Sequence, residues 1–584
     1  MKRRWLALVI AVIMMISVPL SLTSCNTEND PAQDNETAQE SEAQNEGDAQ
    51  SEGDDQDADS QEDVPENDAA DKTADASGVP LPDMNAWKYN KKHDVYYQLG
   101  ITYCANPADE DYEKLAVFVP GKFMKGKKND GGTYSCEIDP SAKVGGFTAA
   151  TAPIVMPVDA PGYSSQQALT EYTKVKKYTD AGFVYVHAGC RGRDKGAPLA
   201  VTDLKAAVRY LRYSADQIPG DEESIFMFGM GGGGALAAVM GASGDSSMYD
   251  PYLALIGAVS ETSDVICGAM CWSPVTDYDT ANGAYEWMMG STRSGLTEEE
   301  HKISDELAAN FADYMNTAGL TSDEGRLLTL RESEEGIYQS GTYYDYMKSV
   351  VEKALNRFLK DTEFPYKAKG TTEGGLKLTG TYDTPADYVK KLNSKGKWLK
   401  YNAKKNKVTV RDLAGFVKVF KPATRGLAAF DNLEGTENEN ILFGYGDGEV
   451  SHFDPYLAEI LNNINSKYAG AYVRDLSKTD SIGNSVDYRV EMYTPMYFLL
   501  RSQSGYQKST VAYYWRIRSG IEQTDCALCT EVNLALALQN YSDVRSVDFA
   551  TVWGKGHVKA ERSGKSADNF IKWVGKCMKK RYEG

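Results

Sequence analysis

The apolar run Ser224–Phe228 passes without a break into Gly229-Met230-Gly231-Gly232-Gly233-Gly234-Ala235, and small residues continue to Gly241. A strand that ends on glycines and reopens as a helix of small residues makes a tight corner with backbone neighbours close on several sides. Three kinds of site use such a corner. A P-loop needs Gly-Lys-Ser/Thr at its end, and here Gly233-Gly234-Ala235 stands in that place. A dinucleotide fingerprint needs an acidic residue closing a second strand about 20 residues later, and the sequence offers none. The third is the nucleophile elbow, G-x-S-x-G, with Gly229 and Gly233 as its flanks. The flanks must be small because the turn presses the helix start against neighbouring strands. Gly229, Gly232, Gly233 and Ala235 meet that demand. The centre should be serine, and it is Gly231.

Around this corner, short apolar runs alternate with helix-like segments. Leu115–Val119, Pro153–Val158, Phe183–Val186, Ser224–Phe228 and Val265–Trp272 read as strands. Gln166–Thr179, Thr202–Tyr213 and Gly234–Gly241 read as helices, the second with Leu204, Ala207, Val208 and Leu211 at helical spacing. The alternation lapses over 285–440 and returns as strand Tyr513–Ser519, helix Thr530–Asn540, strand Val547–Trp553 and helix Ala567–Lys579. This pattern predicts an α/β domain, a mostly parallel sheet with helices on both faces, built from 79–284 and 441–584. Residues 285–440 form an insertion.

An elbow of this kind comes with its acid and then its histidine later in the chain. Of five histidines (93, 187, 301, 452 and 557), only His557 follows a late strand and precedes a terminal helix. Asp525 follows the strand before it. Order and placement thus give Gly231 the nucleophile position, Asp525 the acid and His557 the base.

The runs Gly241-Ala242-Ser243-Gly244-Asp245-Ser246, Gly189-Cys190-Arg191-Gly192-Arg193-Asp194, Trp272-Ser273-Pro274-Val275-Thr276-Asp277, Trp515-Arg516-Ile517-Arg518-Ser519-Gly520 and Val552-Trp553-Gly554-Lys555-Gly556-His557 resemble bacterial tannase and feruloyl-esterase-like α/β-hydrolases. The resemblance spans roughly residues 110–580. It implies an α/β-hydrolase fold with 285–440 as a lid, the same three triad positions, and ester or phenolic ligands. It further implies a lid cation and acidic groups that hold phenolic hydroxyls; the nearest matches are Arg425 and Glu439, with an exposed lid charge pair as the alternative. The oxyanion hole would use Gly232 N–H and a donor from Asp159-Ala160-Pro161-Gly162-Tyr163. Pro161 has no N–H to give, so Gly162 is the candidate.

Met1–Arg4 is basic, Trp5–Leu22 is apolar, and Leu22-Thr23-Ser24-Cys25 resembles a bacterial lipobox, which implies cleavage before Cys25 and a lipid anchor on its thiol. Residues 26–78 hold 19 Asp/Glu against one Lys and almost no large apolar side chain. Such a segment is expected to remain a disordered acidic tether. It supplies most of the net charge of −20 and leaves the body only mildly acidic, which argues against nucleic-acid binding. Cys526-Ala-Leu-Cys529 has no second metal-ligand pair nearby, so neither a metal nor a cofactor is expected.

Glycine at 231 has no atom that His557 can deprotonate, and Ser224 and Ser243 lie a strand and a helix away. The sequence therefore leaves two functions open. One is an esterase-family lipoprotein with impaired catalysis on aromatic or sugar-linked esters; the other is a non-catalytic relative that binds such ligands at the cell surface. Cys190 as an unrecognised nucleophile is a remote third.

Overall fold

The computed structural model describes residues 78–583, apart from 335 and 371–374. The expectations for the signal segment, for Cys25 and for the acidic stretch up to 77 lie outside the described residues. Strands β1 (Lys88–Asn90), β2 (Val95–Thr102), β3 (Lys114–Pro120), β4 (Pro153–Val158), β5 (Val184–Ala188), β6 (Asp221–Met230), β7 (Gly268–Trp272), β8 (Tyr514–Gly520) and β9 (Ser546–Val552) form one sheet. Its order is β1-β2-β3-β5-β4-β6-β7-β8-β9. From β5 to β9 every pairing is parallel. The edge formed by β1, β2 and β3 is antiparallel.

A parallel sheet must be covered on both faces, and successive residues of one strand serve opposite sides. In β6, Ile225 and Met227 enter the larger core while Phe226 and Phe228 enter a second one. β8 divides in the same way, with Trp515 and Ile517 on one side and Tyr514 on the other. Helices α1 (Leu199–Tyr213), α2 (Gly232–Ala242) and α3 (Leu528–Asn540) contribute to the larger core. Helix α4 (Ser566–Glu583) covers the second with Phe570, Trp573, Val574 and Cys577. Each large apolar side chain fully buried here stabilises the fold by about 1.5–3 kcal/mol.

The expected helix over 166–179 is mostly absent: only Lys176–Asp180 is helical. Gln166 is instead drawn into extended pairing, its N–H donating to Cys190 O at 2.9 Å and its carbonyl accepting from Cys190 N–H at 2.8 Å. Its side chain ties two strand ends together, Nε2 donating to Ala188 O at 2.6 Å and Oε1 accepting from Asp159 N–H at 2.6 Å. Those bonds outweigh the helical periodicity of the segment.

The chain leaves the sheet at Trp272 and re-enters at Tyr514, between neighbouring strands β7 and β8. Residues 285–440 contain long helices and three two-stranded ribbons, and further short helices occupy 441–513 before the sheet resumes. The helix Glu298–Thr317 starts where the sequence dictates. Thr297 Oγ1 accepts from Glu300 N–H at 3.2 Å and Glu300 Oε2 accepts from Thr297 N–H at 2.7 Å, a reciprocal cap. No described helix is long and apolar enough to cross a membrane. All eight cysteines among the described residues are buried and unpaired.

Candidate active site

Parallel strands end on one edge of the sheet, and the side chains of interest gather there, at the carboxyl ends of β6, β8 and β9. Gly231 joins β6 to α2 with φ 57° and ψ −122°. A residue with a side chain pays about 1–3 kcal/mol of strain in such a conformation, and glycine adopts it freely. The flank is as tight as the elbow requires: a Cβ on Gly233 would lie 2.1 Å from Val158 O. The corner is pinned by Gly231 N–H, which donates to Trp272 O at 3.0 Å, and by Ala235 N–H, which donates to Gly231 O at 2.9 Å.

His557, in the turn after β9, points at this corner. An ideal Cβ on Gly231 would sit 2.9 Å from His557 Nε2 and 3.4 Å from Cε1, with no other heavy atom within 4 Å. The imidazole thus reaches into the volume where a side chain at 231 would begin.

On the other side of the ring, Asp525 Oδ2 lies 3.1 Å from Nδ1, and Gln523 Oε1 lies closer, at 2.7 Å. The Asp525 side chain is 40% exposed, whereas Gln523 is fully buried. The sequence reading missed Gln523 because it looked for a carboxylate. The available signal was positional, since Gln523 comes three residues after the end of β8.

Gly232 opens α2, so its N–H has no partner within the helix and carries the positive end of the helix dipole. The loop 160–163 lies directly against it: a Cβ on Gly232 would meet Ala160 O and Tyr163 N at 2.6 Å each. Within that loop Tyr163 N–H donates to Ala160 O and Ser164 N–H to Pro161 O. Pro161 has no N–H, and the Gly162 amide has no acceptor inside the turn. Gly162 and Tyr163 are both left-handed, with φ 53° and 62°, and the Gly162 carbonyl accepts from Arg193 Nη1 at 2.6 Å.

The insertion closes over the same loop. A Cβ on Gly162 would meet Asn438 Nδ2 at 3.2 Å, one residue before Glu439. Arg425 and Glu439 form a pair at 3.3 Å, Glu439 buried and Arg425 half-buried, with Glu437 at 3.5 Å and the guanidinium 4.5 Å over the Phe430 ring. Burial works against the Arg425 charge, but Glu439, Glu437 and Asp525 together outweigh it and hold the guanidinium firmly protonated.

Cys190 is no substitute nucleophile. It is fully buried, and burial pushes its thiol up to about 12, so it stays protonated. Among the described residues, no group of three or more His, Cys, Asp or Glu is arranged to hold a metal ion.

The BD-FAE family model matches residues 148–309, the stretch that carries β4 to β7, the 160–163 loop and the Gly231 corner. No curated protein matches the chain. Among solved structures, the tannin acyl hydrolase of Lactobacillus plantarum aligns with a TM-score of 0.62 at 26% identity, over 83% of this chain and 94% of that one. Fusobacterium nucleatum tannase aligns with a TM-score of 0.65 at 26% identity, over 83% and 95%. A tannin acyl hydrolase has also been solved with 3,4-dihydroxybenzoate and with ethyl gallate, and both structures are similar to this chain. With its parallel sheet and inserted helices, the chain has the α/β-hydrolase fold and is tannase-like in structure, of the esterase type.

Proposed function

We propose that this tannase-like α/β-hydrolase binds aromatic or sugar-linked esters, or their phenolic products, and has lost acyl transfer at an ordinary rate. The observation that carries the reading is Gly231, with no hydroxyl, at the strand-to-helix corner and His557 Nε2 in the space beside it. Covalent ester hydrolysis needs a nucleophilic atom there. Removing it from a serine hydrolase costs on the order of 10⁶-fold in turnover, and about 10³–10⁴ over water can persist from oxyanion stabilisation and binding alone.

The retained binding parts are the Gly232 and Gly162 amides and the half-buried Arg425–Glu439 pair. The phenolic ligands seen in tannin acyl hydrolase complexes suggest what the Arg425–Glu439 pair receives. The protein acts from the outer face of a bacterial membrane, held there by lipid on Cys25. Cells fed labelled palmitate should label the native chain and leave Cys25→Ala unlabelled; an unlabelled native chain would rule the anchor out.

The decisive experiment is covalent labelling with a fluorophosphonate probe. The native chain should remain unlabelled, and Gly231→Ser should acquire label at the new serine. Labelling of any serine in the native chain, with ordinary hydrolysis of methyl gallate, would overturn the proposal. Binding is tested by thermal shift with gallate, dihydroxybenzoate and acetylated sugars, where at least one class should raise Tm. A flat response across the panel would reduce the protein to an inert relic.

A further inference from the structure

The contacts behind His557 determine more than its position. Gln523 Nε2 donates to Glu531 Oε1, and Gln523 Oε1 lies 2.7 Å from His557 Nδ1. Above about pH 7, where Glu531 is ionised, its carboxylate only accepts, so the NH₂ end of the amide faces Glu531 and the oxygen faces the imidazole. An amide oxygen also only accepts. The hydrogen between Gln523 and His557 must therefore sit on Nδ1.

The clamp is built into the fold. Glu531 is fully buried on α3. The buried Lys421 ammonium donates to the Gln523 carbonyl. The turn that bears Gln523 is stitched to the His557 loop by Ile521 N–H on Val552 O at 3.0 Å and Glu522 N–H on Lys555 O at 2.9 Å. Asp525, longer in its contact and 40% exposed, has water as a competing partner, and exposed ion pairs of this kind contribute little.

We propose that Gln523 is the positioning residue of His557, and that the Glu531–Gln523 clamp fixes the imidazole as its Nδ1–H tautomer, with a neutral amide closer to Nδ1 than the Asp525 carboxylate. The proposal rests on reading the Gly231 corner as a hydrolase site. It deepens that reading: the hydroxyl at 231 is missing, and the negative charge beside the imidazole comes from the 40% exposed Asp525 carboxylate at 3.1 Å while the nearer partner is neutral. A serine alone would find a correctly oriented base whose imidazolium gains no support from its nearest partner.

The test exchanges the two groups. Gln523→Glu alone would set two carboxylates against each other, so it is paired with Glu531→Gln. The amide introduced at 531 can then donate to the carboxylate introduced at 523, while that carboxylate accepts from His557 Nδ1. In a Gly231→Ser background, the exchanged pair should raise kcat on a chromogenic acetate ester about 100-fold over Gly231→Ser alone, the scale of one preorganised electrostatic contact, with KM little changed. An equal or lower kcat in a folded triple variant would overturn the assignment.

A second readout needs no activity. In the native chain labelled with ¹⁵N-histidine, the His557 resonances should report Nδ1–H. Gln523→Leu should mix the tautomers, and Asp525→Asn should leave Nδ1–H dominant. An Nε2–H ring in the native chain, or mixing on Asp525→Asn but not on Gln523→Leu, would overturn the proposal. Failure of Gly231→Ser to acquire label would count against the reading of the corner and leave the tautomer result to decide the role of Gln523.

Discussion

Two histidines among the described residues, His452 and His557, sit against carboxylates, and of these two His557 is at the candidate site. His452 Nδ1 lies 2.7 Å from Asp431 Oδ1 in the insertion, buried, its ring stacked 3.7 Å from that of Tyr472. Asp431 also accepts from Phe453 N–H, Asp454 N–H and Asn440 Nδ2, at 2.8, 2.8 and 2.7 Å. Those four bonds occupy the carboxylate and draw the chain around residues 431–454 together. His557 differs on each point. Its nearest partner is an amide, its carboxylate is half in water, and its far nitrogen faces a corner with no side chain. A short His–Asp distance is therefore a poor guide to chemistry. The tighter pair holds the fold, while the looser one stands at the strand ends where a ligand can arrive.

The comparison breaks first if the interior pair can be removed cheaply. Asp431→Ala strips four donors of their acceptor and should cost about 3–5 kcal/mol in denaturant unfolding; a loss under about 1 kcal/mol would show the network to be incidental. The clamp behind His557 gives the next effect, and it depends on pH. Burial raises the Glu531 carboxyl to about 7, with Lys421 pulling the other way. The folded state thus binds this proton more tightly than the unfolded chain does, so the contribution is full below about 4.5 and is lost as pH rises through about 7. Glu531→Gln should flatten the fall in stability between pH 5 and 7.5 by at most about 3 kcal/mol. Asp279 and Asp454, raised by burial to about 7 and about 6, would keep the rest of the slope. An unchanged slope would mean that Glu531 is already charged within the fold. Smaller again is the corner itself: Gly231→Ala adds a Cβ at positive φ against His557 and should cost about 1–3 kcal/mol without creating a nucleophile. A neutral result would show that the corner relaxes to a right-handed conformation.

The parallel sheet was legible because β4, β5, β6 and β7 carry short apolar runs, with the helical period of α1 and the small-residue helix α2 among them. The corner was legible because few folds have a use for Gly229 to Ala235. What escaped depended on contacts distant in sequence. Gln166 leaves its helix for hydrogen bonds to residues 159, 188 and 190, which no local pattern encodes. The edge strands β1 and β2 carry tyrosines and polar residues at the margin of the sheet and lack the apolar run that marked the others. For Arg425 and Glu439 the sequence left an exposed charge pair open beside a binding role, because the irregular segment around them has no periodicity from which burial could be read. Gln523 escaped for a chemical reason: the search was for an acid, and the structure put an amide nearest the ring.

The smallest expected effect on stability is the one that most sharpens the contrast. The described partners of the His557 ring include Gln523 and a part-exposed Asp525, and its side chain is itself 23% exposed. On His557→Ala, Gln523 keeps its bond to Glu531, Asp525 keeps its water, and solvent can enter beside Gly231 to reach the freed amide oxygen. The change should therefore cost less than about 1 kcal/mol in the assay in which Asp431→Ala costs several. In a Gly231→Ser background the same change should abolish fluorophosphonate labelling, because the serine would lose the base that activates it. A large destabilisation would make His557 a structural histidine like His452, and labelling that survived its removal would mean the new serine never depended on it.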